Sequence, residues 1–216
     1  MPDLSLENSC QGHVIGIDEA GRGPWAGPVM VTALWLNPHA YDLLPDDIND
    51  SKKIKPDRRA SLAGVLQMPP HLSYTTSKDV DDIDHYGVVQ TTLTAMAEVA
   101  KGLIDLMEKA GIAGPTHALD GPLLPTQMTC PSTAVIRGHS RSLSIAGASI
   151  IAKHSRDVIM KDLDLGWPEY GWRQNNGYGT RQHQKALAIY GVSPHHRRSF
   201  APIKRLMATS LSDRKA

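Results

Sequence analysis

Two adjacent carboxylates, Asp18 and Glu19, follow the β-branched run at residues 13–17 (HVIGI) and precede Gly21-Arg22-Gly23-Pro24. Two hard oxygen donors beside a backbone that can approach a ligand closely could hold a divalent cation next to a phosphate. An acid pair at that place could also do no more than cap a turn. A third carboxylate, Asp120, closes the short apolar segment 117–119 and is followed by Gly121-Pro122; Asp-Gly is equally a common turn pair. Three carboxylates meeting at neighbouring strand ends would suit one or two Mg²⁺ or Mn²⁺ ions. The chemistry that follows from such a group is metal-assisted hydrolysis of a phosphodiester.

Those side chains need elements to carry them. Residues 13–17 and the apolar run 28–36 read as two strands of a hairpin-like sheet, with the acid pair at the end of the first. Residues 55–67 read as a helix with Pro56 in its first turn. Apolar residues recur every three or four positions through 88–110, which predicts a long helix, and 117–119 then reads as a strand ending at Asp120. A further strand is expected over 133–136, and a helix over 144–163 that opens with Ala146, Gly147, Ala148 and Ser149, small enough for close backbone approach. Thr180 is placed to cap a helix running to Tyr190, which Gly191 and Pro194 close.

Composition excludes several classes. The 216 residues are 41% hydrophobic and 21% charged, so the chain has the make-up of a folded globular protein rather than a disordered or fibrous one. The formal charge is only +1, but between residues 181 and 216 eight basic residues face one acid, Asp213. Cys10 and Cys130 lack metal-ligand spacing and cannot build a disulfide framework, residues 1–12 lack the pattern of a secretory signal, and no apolar run reaches the length of about 20 residues that a bilayer requires. The expected setting is the cytoplasm.

The segment Gly16-Ile17-Asp18-Glu19-Ala20-Gly21-Arg22-Gly23-Pro24, with Ala26-Gly27-Pro28, resembles the signature of ribonuclease HII, the type 2 ribonuclease H family. Matching segments follow in the same order. They are Asn49-Asp50-Ser51-Lys52-Lys53, Ile83-Asp84, Gln90 with Thr92-Leu93 and Ala95-Met96, Leu119-Asp120-Gly121, Ser149-Ile150-Ile151-Ala152-Lys153 with Arg156-Asp157, Gly177-Tyr178-Gly179-Thr180, and His196-Arg197-Arg198-Ser199-Phe200. The resemblance covers residues 14–200. It implies an α/β, ribonuclease H-like fold: a mixed central sheet flanked by helices, with a catalytic domain over 13–165 and a helical substrate-binding region over 166–216. It implies an endonuclease that hydrolyses the RNA strand of RNA/DNA hybrids and incises 5′ of ribonucleotides embedded in duplex DNA, leaving 3′-hydroxyl and 5′-phosphate ends, as ribonucleotide excision repair requires. The cofactor would be Mn²⁺ or Mg²⁺. The partners would be RNA/DNA hybrid and ribonucleotide-containing duplex DNA, with no membrane. The lack of an obvious oligomerisation segment points to a monomer.

Carried over residue by residue, the family's first three metal-binding carboxylates fall on Asp18, Glu19 and Asp120. Its fourth acid falls on His139, because Arg137-Gly138-His139-Ser140-Arg141 has histidine where the family has aspartate. A neutral imidazole removes one negative charge and shifts relative preference toward Mn²⁺. Gly21, Arg22 and Gly23 are implied to meet the 2′-hydroxyls around the scissile phosphate, and Tyr178 the sugar at the RNA-to-DNA junction. Ser51, Lys52 and Lys53, and likewise Arg197 and Arg198, offer phosphate contacts, although a solvated basic surface would carry the same charge. Asp157 lies four residues beyond Lys153 and reads mainly as its helical partner. Gly87 stands where relatives usually carry Asn, and Asn176 where a basic residue is common. Most of the other histidines read as surface or capping residues. The implied mechanism is two-metal hydrolysis, with one ion between Asp18 and Asp120 activating water and a second, near Glu19 and His139, at the leaving 3′-oxygen. Two rivals remain: a duplex-binding homologue silenced at His139, and a nuclease of the same fold that cuts branched DNA.

Overall fold

The computed structural model describes residues 1–114, 116–120 and 124–212, without the side chains of Asp120 and 209–212. Gly121 and Pro122, read above as a turn, lie outside the described residues. The elements are α1 (Ser5–Ser9), β1 (His13–Ala20), β2 (Val29–Trp35), α2 (Pro56–Leu66), β3 (Leu72–Lys78), α3 (Val80–Tyr86), α4 (Val88–Lys109), β4 (Thr116–Asp120), β5 (Ser132–Ala134), α5 (Leu143–Gly166), α6 (Trp172–Asn175), α7 (Arg181–Tyr190) and α8 (Ala201–Ser212). Short 3-10 turns lie at Pro38–Leu43, Gly138–Ser140 and Pro168–Tyr170.

One five-stranded sheet has the order β3-β2-β1-β4-β5. β1 pairs antiparallel with β2 and parallel with β4, and β4 pairs parallel with β5, so the sheet is mixed and the fold is α/β. β2 is buried along its whole length, which suits its continuous apolar sequence VMVTALW. β1 runs three residues further than its apolar sequence implies. Asp18 and Glu19 belong to the strand because Asp18 is in register with Thr32 and Glu19 with Val31 of β2.

The chain divides into two compact units. The first is Met1–Ala20, Met30–Ser77 and Thr92–His154; the second is Gly21–Val29, Lys78–Thr91 and Ser155–Ala216. In the first, Leu34, Leu62, Leu66, Ile150 and Ile151 form a buried cluster. Gly147 allows α5 to lie on it, since a Cβ there would come within 2.4 Å of Leu34 Cδ2. The start of α5 is fixed by the buried carboxylate of Glu7 in α1, which accepts from Ser144 N (2.9 Å), Ser144 Oγ (2.8 Å) and Ser142 Oγ (2.6 Å). An anion at a helix N-terminus also meets the positive end of the helix dipole. In the second unit, Ala26, Met160, Tyr170, Trp172, Leu187 and Ile203 form the core, with Tyr170 and Trp172 stacked at 5.0 Å.

Candidate active site

Asp18 and Glu19 lie near the end of β1 and are both half-buried. Asp18 Oδ1 accepts the amide of Glu19 at 2.9 Å, which holds that carboxylate against its own strand. β1 and β4 run in the same direction, with Gly16 opposite Leu119 as the last pair, so Asp120 closes β4 at the end of the sheet where the acid pair sits. The side chain of Asp120 lies outside the description, and among the described residues no three His, Cys, Asp or Glu form a group able to hold a metal ion. The donors at this strand end are carboxylate oxygens, a set that fits Mg²⁺ or Mn²⁺.

His139 sits half-buried in the 3-10 turn Gly138–Ser140, with its Nε2 3.7 Å from Asp50 Oδ2. Asp50 opens a loop with one inward and two outward residues. Ser51 is buried, its hydroxyl 2.9 Å from that of Ser149, while Lys52 and Lys53 are exposed. The buried guanidinium of Arg59 holds the loop by donating from Nη1 to the carbonyls of Ser51 (2.8 Å) and Ile54 (2.9 Å). Pinned backbone with lysines outward is a suitable surface for a phosphate chain.

In the second unit, the segment from Gly21 to Pro28 is built around two buried arginines. Arg156 donates to the carbonyls of Pro28 (2.9 Å), Asn176 (3.0 Å) and Ala26 (3.0 Å). Arg197 donates to the carbonyls of Arg22 (3.0 Å), Gly21 (2.6 Å), Gly27 (3.0 and 2.8 Å) and Pro28 (3.2 Å). Burial draws Arg156 down to about 10; burial and the charge of Arg156 draw Arg197 down to about 9, and both stay cationic at neutral pH. The phosphate contact expected of Arg197 is therefore corrected: its side chain is wholly buried, and only its neighbour Arg198 is exposed. Six carbonyls satisfy charges that would otherwise be costly to bury.

Tyr178 is 49% exposed. It stands out because the glycines beside it leave no room for side chains: a Cβ on Gly177 would come within 2.5 Å of the Ala26 carbonyl, and one on Gly179 within 2.2 Å of the Trp25 indole. Gly23 lies against the Tyr178 ring, 3.5 Å from its would-be Cβ. The amide of Trp25 donates to the Gly177 carbonyl at 2.8 Å, joining the two glycine-rich segments.

Beneath Tyr178 lies a buried histidine pair. Ser193 N donates to His196 Nδ1 (3.0 Å), the two Nε2 atoms of His196 and His183 are 2.9 Å apart, and His183 Nδ1 is 3.0 Å from the Tyr178 carbonyl. Trp172 Nε1 donates to His183 Nε2 at 3.3 Å. This pattern is satisfied when His183 carries its proton on Nδ1 and His196 on Nε2, so both rings are neutral. These two are exceptions among the histidines, since both are fully buried. Burial, then the neighbouring His183, draws His196 down to about 3, and burial lowers His183 too.

The unfolded chain therefore takes up protons that the native state refuses, and stability falls from about pH 6.5 towards 3. Thermal melts are expected to show a loss of about 2 kcal/mol from His196 alone between pH 7.5 and pH 5. His196→Gln should flatten that slope, and an equal slope in the variant would remove the pair as its cause.

The family model for Ribonuclease HII matches residues 15–203. The Ribonuclease HII of Jannaschia sp. (strain CCS1) is 44% identical over 207 residues, 95% of this chain and 98% of that protein. That of Rhodospirillum rubrum is 42% identical over 97% of this chain and 94% of the relative. Among solved structures, the ribonuclease H2 from Pyrococcus horikoshii OT3 superposes with a TM-score of 0.72 at 20% identity, covering 90% of this chain and 96% of that one. Bst-RNase HIII, solved in complex with Mn²⁺, superposes with a TM-score of 0.77 at 17% identity, covering 96% of this chain and 73% of that one.

Proposed function

The chain belongs to the ribonuclease HII family, endoribonucleases that hydrolyse the RNA strand of RNA/DNA hybrids, and from that premise we propose which of its residues do the work and on what substrate. The observation that carries the reading is the shared end of the parallel strands β1 and β4, which brings Asp18, Glu19 and Asp120 to one end of the sheet. Asp18, Glu19 and Asp120 would hold a divalent cation, Mn²⁺ or Mg²⁺, with His139 as the family's fourth position. When bound, that cation supplies Lewis-acid stabilisation of the phosphate and an acidified water.

The chain's own residues then do three things. The carboxylates of Asp18, Glu19 and Asp120 would hold the cation at the strand end, where it would offset the repulsion between these anions and the scissile phosphate. Ser51 anchors the loop whose Lys52 and Lys53 neutralise flanking phosphates, which makes binding salt-dependent. Gly21, Arg22 and Gly23 meet the ribose 2′-hydroxyl, and Tyr178 the sugar at the RNA-to-DNA junction. On this reading the substrates include a lone ribonucleotide in duplex DNA, cut on its 5′ side as repair of such sites requires, and a single chain in the cytoplasm is the working unit. Residues 13–165 supply the chemistry together with the contacts of Gly21, Arg22, Gly23, Lys52 and Lys53, and 166–216 add the duplex contacts of the helical region, Tyr178 among them. No helix among the described residues is long and apolar enough to cross a membrane.

The test is nicking of a labelled DNA duplex with one internal ribonucleotide, in Mg²⁺ and in Mn²⁺. Ribonucleotide-dependent nicking that disappears in Asp120→Asn is expected. His139→Asp restores a charge and is expected to raise the Mg²⁺ rate about tenfold, with a smaller gain in Mn²⁺. Cutting of branched all-DNA substrates without ribonucleotide dependence would overturn the proposal. A His139→Asp variant unchanged in both metals would take position 139 out of the metal site.

A further inference from the structure

Arg197 and Arg156 take no part in the chemistry described, yet they are two of the largest fully buried side chains in the protein and share an unusual set of partners. Among the described residues their hydrogen-bond acceptors are backbone carbonyls, and five of the six belong to the segment that starts at Gly21. A guanidinium is a planar fork of five N–H donors, which a carbonyl-lined cup can satisfy in several directions at once. Gly21 makes room for the cup: its φ is +101°, and a Cβ there would lie 2.1 Å from Arg156 Nε.

The consequence follows from peptide geometry. The C=O and the following N–H of a trans peptide point in opposite directions, and the peptides of this segment are trans. With the Gly21 carbonyl drawn onto Arg197 Nη2 and the Arg22 carbonyl onto Nη1, the N–H groups of Arg22 and Gly23 are turned away from the guanidinium. Gly23, the outermost of these residues, is exposed and lies beside the Tyr178 ring. A ribose hydroxyl can accept from such donors, and a deoxyribose has nothing to offer them.

We propose that Arg197, supported by Arg156, is the positioning residue for ribose discrimination: its grip on the Gly21 and Arg22 carbonyls aims the following N–H groups at the 2′-hydroxyl. This rests on the proposal that Gly21, Arg22 and Gly23 meet the ribose. Arg197 touches no substrate and acts only through the backbone it holds.

Arg197→Lys keeps the charge but cannot span the Gly21, Arg22, Gly27 and Pro28 carbonyls with one ammonium. Binding is measured in EDTA, so that nothing is cut, to a DNA duplex with one ribonucleotide and to its all-deoxy counterpart. The wild type prefers the ribonucleotide duplex. In Arg197→Lys that preference falls about fivefold, the worth of one hydrogen bond, with affinity for the all-deoxy duplex unchanged. A folded Arg197→Lys protein with undiminished preference, or with equal losses on both duplexes, overturns the inference.

Asp84 allows the same test from a partly exposed site. Its carboxylate accepts from Arg198 N (2.8 Å), Ser199 N (2.9 Å) and Ser199 Oγ (2.6 Å), anchoring the turn that follows Arg197. Asp84→Ala is expected to lower the preference by about twofold, a weaker form of the same loss. It decides the matter where Arg197→Lys does not fold. A wild type with no preference at all would fail the underlying reading, which is a different result from a variant that keeps it.

Discussion

Asp18→Asn is expected to slow ribonucleotide-dependent nicking by at least about 10³-fold, with the melting temperature and circular dichroism of the wild type retained. The reason lies in what the substitution keeps. Asp18 Oδ1 accepts the Glu19 amide at 2.9 Å, and an asparagine carbonyl can accept the same bond, so the strand end is preserved while the charge is lost. A carboxylate that only closed the strand would tolerate the exchange. One that holds a divalent cation would not, because a neutral amide is a poor ligand where two or three anions set the affinity. More than about a tenth of wild-type activity in the folded variant would take Asp18 out of the metal site. Glu19→Gln beside it should show a loss of similar sign, since Glu19 lies at the same strand end and enters that bond through its backbone amide, which the substitution keeps.

The acids were legible in the sequence because their chemistry is local: adjacent oxygen donors, then glycines, after a β-branched run. The helices α2, α4, α5 and α7 were legible for a similar reason, since three- and four-residue spacing and caps such as Thr180, which accepts His183 N, are written into neighbouring positions. β3 was not read. Its sequence LSYTTSK is polar and only partly buried, and Thr32 of β2, within 2.9 Å of Thr75, supplies a partner that no local pattern reveals. α3, with three aspartates in seven residues, was missed as well; Asp79 caps it by accepting from Asp81 N and Asp82 N.

The largest gap concerned Arg197. A basic residue next to Arg198 reads as solvent-facing on the averages, and only the tertiary fold shows that its acceptors lie some 170 residues earlier in the chain, at Gly27. His183 and His196 were hidden in the same way, since nothing in a sequence distinguishes a histidine that will be buried neutral from one that will titrate in water. The residues proposed to touch substrate are thus the ones whose types announce their chemistry. The ones that aim them are ordinary residues in extraordinary surroundings.

Gly16→Ala is expected to cost about 3 kcal/mol and to lower the melting temperature by about 6–12 °C. Gly16 lies in the middle of β1, opposite Leu34 on one side and Leu119 on the other. A Cβ there would fall 2.2 Å from the Ser144 carbonyl carbon, 2.3 Å from Ile145 N and 2.6 Å from the Ser144 oxygen. All three are backbone atoms, so no rotamer change can make room, and either β1 or the start of α5 must move. β1 is hydrogen-bonded on both edges. The start of α5 is tied by Ser144 to the buried carboxylate of Glu7, and further held by the Ala146 amide on the Ser142 carbonyl. The strain has no cheap outlet, which sets this site apart from Gly64 in α2, where a Cβ meets nothing within 4 Å and Gly64→Ala should stabilise by about 0.5–1 kcal/mol. A melting temperature unchanged in Gly16→Ala would mean that α5 can withdraw from the sheet. Because Gly16 is two residues from Asp18 on the same strand, the displaced strand should also lose nicking activity beyond what the fall in stability explains.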